Sequence, residues 1–166
     1  MKAYNFGVWL VLVIAEAGGQ AAARIRVWRA LKALGAAVVR DGVYLLPDRD
    51  DLRVKLAEQR AEIIDAGGHA LLFAAPGIDP DDTATFRQFF DRSADYAAIA
   101  ASARGLGAEI GHQPEGKARR ALRALQRRYE NVESIDYFRT PARSDASNEI
   151  AAAKAAFTAR FSRYTR

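Results

Sequence analysis

The chain of 166 residues contains no cysteine. That absence removes disulfide frameworks, thiolate metal sites, iron–sulfur clusters and a cysteine nucleophile together, and it fits a reducing compartment. Long apolar runs are missing as well. The longest, VWLVLVIA from Val8 to Ala15, has eight residues, whereas a membrane-spanning helix needs about 20. One lysine precedes the run and charged IRVWR follows it with no convincing cleavage site, so the start does not read as a secretory signal. The expectation is a soluble cytoplasmic protein with no membrane partner. Histidine is scarce. His69 opens a predicted strand and reads as structural, His112 sits in a glycine-rich stretch and reads as exposed, and neither has helpers at metal or triad spacing. The glycine pairs at 18–19 and 67–68 form neither GxGxxG nor a Walker loop, so no cofactor is expected. There is no internal repeat, low-complexity tract or clear helix-turn-helix.

What is present is enough for a core, since a chain of this size buries roughly two thirds of its unfolded surface. Val8–Ile14 is β-branched and apolar on both faces, as a central strand requires. QAAARIRVWRALKALG reads as a helix closed by Gly35, with Ala23, Val27, Ala30 and Leu34 on one stripe. Ala37 to Leu46 is strand-like and Pro47 ends it; Asp41-Gly42 fits either a tight turn or a bulge. A helix capped by Asp48 or Asp50 follows to about Ala66, with Leu52, Leu56, Ile63 and Ile64 as core positions. HALLFAAP, His69 to Pro76, is a further short strand. The order strand–helix–strand–strand–helix–strand predicts an α+β ferredoxin-like sandwich over residues 1–78. Residues 79–166 read as a helical extension packed on it, with segments at Asp81–Arg104, Glu115–Tyr129 and Asn148–Tyr164, and with Gly105–Gly116 as linker.

Charge is unevenly placed. Residues 1–110 carry 13 Lys/Arg against 14 Asp/Glu, while residues 111–166 carry 12 against 6, so the whole excess of the +5 chain lies in the last third. Such asymmetry points to a polyanionic partner. Its focus is EGKARRALRALQRRYE. Lys117, Arg119, Arg120, Arg123, Arg127 and Arg128 surround a clean apolar stripe of Ala118, Leu122, Leu125 and Tyr129. Arginine suits phosphate because its planar guanidinium donates two parallel hydrogen bonds to an oxyanion. Against this stands a plain solubilising face, partly neutralised by Glu115 and Glu130. The first helix adds Arg24, Arg26, Arg29 and Lys32, which could equally pair with Glu16 or with carboxylates of the second helix. Trp28 is expected in the core rather than as a stacking platform. The acidic triplets Asp48, Asp50, Asp51 and Asp79, Asp81, Asp82 precede predicted helices, where capping and the helix dipole explain them without a metal.

The ordered set of an aromatic-led first strand at Trp9, an R-x-W-R-x-L helix from Arg26 to Leu31 and a strand from Gly35 to Pro47 ending V-Y-L-L-P resembles the amino-terminal domain of the ChrB chromate-resistance proteins. The likeness is clearest over residues 8–75 and extends to about residue 160. It implies a cytoplasmic regulator of chromate-resistance operons that binds operator DNA. It also implies a distant kinship with ferredoxin-like domains of phenylacetate-pathway repressors and of a CRISPR adaptation nuclease subunit, which dimerise through their sheets. Family proteins continue into a second domain, which a partner chain would then supply. The related nuclease places an aspartate where this chain has Ile14-Ala15-Glu16, so a metal-dependent nuclease would rest on Glu16. A third reading is an oxyanion or protein-interaction module, with chromate or a similar anion in an arginine pocket. No catalytic constellation is visible, and the expectation is a non-enzyme.

Overall fold

A computed structural model describes residues 7–16 and 21–162, with Glu16 described by its backbone alone. The expected break at Gly18-Gly19 lies outside the described residues. Two compact units divide between Phe90 and Asp91.

The first unit runs β1 (Val8–Glu16), α1 (Ala21–Ala33), β2 (Ala37–Arg40), β3 (Val43–Pro47), α2 (Asp50–Asp65), β4 (His69–Pro76) and α3 (Pro80–Gln88). The strands form one sheet in the order β2-β3-β1-β4, every neighbouring pair antiparallel. The apolar, β-branched β1 takes a central place, as its composition requires. Its side chains alternate. Leu10 and Leu12 lie beside Leu46 and Tyr44 of β3 on one face, and Leu10, Leu12 and Leu46 are fully buried. Trp9 turns to the other face and is also buried; Phe86 meets its ring edge-on at 5.5 Å and Phe90 stacks on it at 5.8 Å. α1 buries Ala23, Val27 and Leu31, and α2 buries Leu52, Leu56 and Ile63 while packing on β4, β1 and α1.

Asp41-Gly42 is the turn from β2 into β3, and the bulge lies just before it in β2, where the register of that pair shifts between Val38 and Arg40. Gly42 has φ +78°, and a Cβ there would stand 2.5 Å from the carbonyl oxygen of Ile14, whose own N–H donates to Gly42 O at 2.7 Å. Only glycine satisfies both demands.

The second unit holds α4 (Ser93–Glu109), a 3₁₀ turn (Ile110–His112), α5 (Glu115–Ser134) and α6 (Arg143–Phe161). Each helix packs on the other two around Tyr96, Ile99, Leu122, Leu125 and Ile150. The corner after α5 is tied from inside. Tyr96 O–H donates to Asp136 Oδ2 at 3.0 Å, Thr140 Oγ1 donates to Asp136 Oδ1 at 2.9 Å, and Thr140 N–H donates to the same carboxylate at 3.0 Å. Arg139 lies in the left-handed region at φ 55° within this corner. Burial first, then the hydrogen bond to Asp136, push the Tyr96 phenol well above the usual tyrosine range.

Several expectations change. The unit boundary falls past α3 rather than near residue 78, because Phe86 and Phe90 pack on Trp9. The helical stretch expected over Asp81–Arg104 is two helices, interrupted between Gln88 and Ser93. Gly105–Gly116 is mostly not a linker: α4 continues to Glu109, and only Gln113 and Pro114 separate the 3₁₀ turn from α5. The last helix begins at Arg143 instead of Asn148, and Tyr164 lies outside the described residues. Ile64 is exposed instead of buried. Asp48 does not cap α2; it makes a paired contact with Arg53, Oδ1 to Nε at 2.6 Å, and Arg49 holds the N-cap position. Asp79 does cap α3, in a reciprocal box with Asp82.

Candidate nucleic-acid interface

α5 presents its two characters on opposite sides. Ala118, Leu122, Leu125, Tyr129 and Val132 are buried among α4 and α6, as the apolar spacing predicts. Arg120, Arg123 and Arg127 recur at three- and four-residue intervals on the opposite side and are exposed. Among the described side chains none of the three has a carboxylate within ion-pairing distance. The edges of the helix differ. Arg119 pairs with Glu115 and lies 5.9 Å from the ring centre of Phe157. Gln126 donates to Glu130 at 2.8 Å and accepts from Lys154 Nζ at 2.7 Å. Arg143 reaches Glu133 and donates from Nε to the Tyr129 hydroxyl at 3.2 Å. Glu115, Glu130 and Glu133 are thus engaged along the flanks, and between Lys117 and Arg128 the helix carries six cations and no acid.

The first-helix residues belong to the other unit. Arg26 Nε meets Glu62 of α2 at 2.5 Å, which leaves it holding two helices together. Arg24 and Arg29 are exposed, with no such partner among the described side chains. Lys117 and Arg128 are likewise exposed on α5. The six α5 cations therefore share one helix, while Arg24, Arg26 and Arg29 form a separate group on α1.

Trp28 overturns its expected place in the core. Half of its surface is exposed (50%), against 1% for Trp9. It stands one residue past Val27, off the stripe of Ala23, Val27 and Leu31, and Lys32 Nζ lies 5.0 Å from its ring centre. Beside it opens a cleft of about 750 Å³ lined by Arg24, Ile25 and Trp28 of α1, Tyr44 of β3 and the Asp41-Gly42 turn. Sequence reasoning missed this cleft. The available signal was that Trp28 sits at the edge of the apolar arc, four residues after Arg24. His69 is exposed at the start of β4, and His112 is exposed too. Among the described residues no three His, Asp or Glu side chains come together as metal ligands; the side chain of Glu16 is outside the described residues.

These features define a class: an α+β protein in two units, one of them a three-helix unit faced by arginine. Residues 24–165 match the family described as Protein ChrB, N-terminal, and the chain belongs to that family. It is 31% identical over 130 residues to Protein ChrB of Cupriavidus metallidurans, covering 78% of this chain and 40% of that protein. The chain thus spans about two fifths of that relative's length. In fold it is similar to a solved structure, the uncharacterized protein Rv0674 from Mycobacterium tuberculosis, with a TM-score of 0.50 and 18% identity over 98% of this chain and 63% of that one. No described helix is long and apolar enough to cross a membrane.

Proposed function

We propose that this chain is the DNA-contacting part of a cytoplasmic regulator of chromate resistance, its first unit a ferredoxin-like sandwich and its α5 helix the operator contact. The observation that carries the reading is the exposed stripe of Arg120, Arg123 and Arg127, with no acidic partner among the described side chains. A merely solubilising face would be expected to interleave its charges; here the acids stand at the flanks and pair there. Family membership supplies the chromate context. The strand order β2-β3-β1-β4, with antiparallel neighbours and helices after β1 and β3, is what a ferredoxin-like sandwich requires. Dimerisation belongs to the same reading, as does weakening of DNA binding by chromate. The arginines act here as binding groups, and no catalytic role is assigned.

Fluorescence anisotropy of the chain with the DNA upstream of its own gene tests this, titrated in salt and repeated with chromate. Binding should exceed that to random DNA, and log K should fall against log salt by about 0.9 for each phosphate neutralised. Replacing Arg120, Arg123 and Arg127 together with alanine should flatten the slope by about 0.9 for each phosphate left without its arginine. An unchanged slope in that variant removes α5 from the interface.

A further inference from the structure

The cleft beside Trp28 goes beyond the operator reading, since it lies in the first unit and presents chemistry that a duplex backbone does not use. We propose that it takes an unpaired nucleotide, its base stacked on Trp28 and its phosphate held by Arg24. Three observations converge. Arg24 and Trp28 are four residues apart on α1, so they rise from the same face, one turn from each other, and both line the cleft. Side chains one turn apart, about 5.4 Å along the axis, can reach a common ligand. Tyr44 supplies a second aromatic wall from β3, half-buried, while Ile25 adds apolar surface.

The turn completes the site. Asp41 lines the cleft with an acceptor suited to the amino groups of a base edge, and Gly42 brings no side chain into it. Charge selects the ligand's sign. Arg24, Arg29 and Lys32 make the exposed side of α1 cationic, and neither Arg24 nor Arg29 has an acidic partner among the described side chains. A neutral aromatic ligand would use Trp28 but leave these cations unanswered; a nucleotide answers both. The volume of about 750 Å³ falls within the range of small-ligand sites, roughly 300–1,000 Å³. A half-exposed tryptophan beside an arginine is also how single-stranded nucleic acid is held without regard to sequence, by stacking plus backbone charge.

The chain contains two tryptophans of opposite exposure, which makes the test direct. Intrinsic fluorescence of the full chain is titrated with a short oligothymidylate, with the same sequence as a duplex, and with adenosine monophosphate. Emission from Trp28 should be quenched by the single strand and shielded from iodide, whereas the duplex should leave it unchanged. Trp28→Ala should weaken binding of the single strand by about 5- to 100-fold. Trp28→Phe should keep most of the affinity and lose the signal. Trp9 remains in both variants as a reporter that the sheet is intact. Arg24→Ala should lower the salt slope for the single strand by about 0.7. Stronger quenching by the strand than by adenosine monophosphate assigns the site to a nucleic acid; equal quenching assigns it to free nucleotides, and both sustain it. Single-strand affinity unchanged in Trp28→Ala, no quenching by either ligand, or equal quenching by the duplex would each overturn it. The alanine variant of Arg120, Arg123 and Arg127 reads the duplex contact independently, so failure of one proposal leaves the other standing.

Discussion

Gly42 and Tyr96 are two residues whose roles follow from single atoms. At Gly42 a side chain would meet the Ile14 carbonyl oxygen while its backbone sits at φ +78°. Gly42→Ala should therefore destabilise the first unit by about 2 kcal/mol, measured as a lowered urea midpoint at unchanged m-value. At Tyr96 the buried phenol keeps its proton in the fold, because ionising it beside Asp136 without water is unfavourable. The unfolded chain releases that proton near pH 10. Above that pH the folded state binds more protons than the unfolded one, so stability falls as pH rises. Below it the contribution is fully present. Tyr96→Phe should lose about 1 kcal/mol at neutral pH and flatten the decline in thermal midpoint between pH 9 and pH 11.

Among the elements, α3 starts in a reciprocal side-chain box, Asp79 accepting from Asp81 N–H at 3.1 Å and Asp82 accepting from Asp79 N–H at 3.2 Å. Asp79→Ala should cost about 1 kcal/mol. Because α3 carries Phe86 onto Trp9, the same change should shift Trp9 emission to the red, which Trp28→Phe as background isolates. How much of each element was legible depended on where its pattern was decided. α5 was readable over Glu115–Tyr129, since Ala118, Leu122, Leu125 and Tyr129 recur at helical spacing and all four are buried, although the helix runs on to Ser134. The strands were readable from their apolar, β-branched runs, and the α1–α2 pair from helical spacing, Ile64 excepted. α4 was not. Gly105 and Gly107 read as linker, yet they lie inside the helix, and a Cβ on Gly107 would meet Ala153 Cα of α6 at 4.0 Å. With Ala100 and Ala103, Gly107 makes a small-residue side that lets α6 come close, while Gly105 is exposed on another side of the helix, and tertiary packing outweighs helix propensity there. The candidate basic residues were legible, and the expected pairing of first-helix cations with carboxylates of the second helix is met by Arg26 and Glu62, although no local pattern names that pair 36 positions apart.

For the whole molecule, the division between Phe90 and Asp91 separates two cores. The second unit draws Tyr96, Ile99, Leu122, Leu125 and Ile150 from its own three helices. Residues 91–166 expressed alone should give a helical spectrum and a cooperative thermal transition, followed by circular dichroism. A featureless, non-cooperative melt would show that this core needs the first unit. Charge divides along the same line: residues 1–90 hold 11 Lys/Arg and 11 Asp/Glu, against 14 and 9 in residues 91–166. The isolated second unit should therefore retain the salt-dependent part of duplex binding while losing any response that arises at Trp28.

The arginine-faced side of α5 has one more consequence, for proteases. From Lys117 to Arg128 six peptide bonds follow a residue that trypsin recognises, and all six side chains are exposed. Trypsin acts on extended backbone, so a helix hides these bonds as long as it stays wound. Nicking in this segment is thus a clock for local unwinding of α5, and a polyanion seated along it would slow that clock.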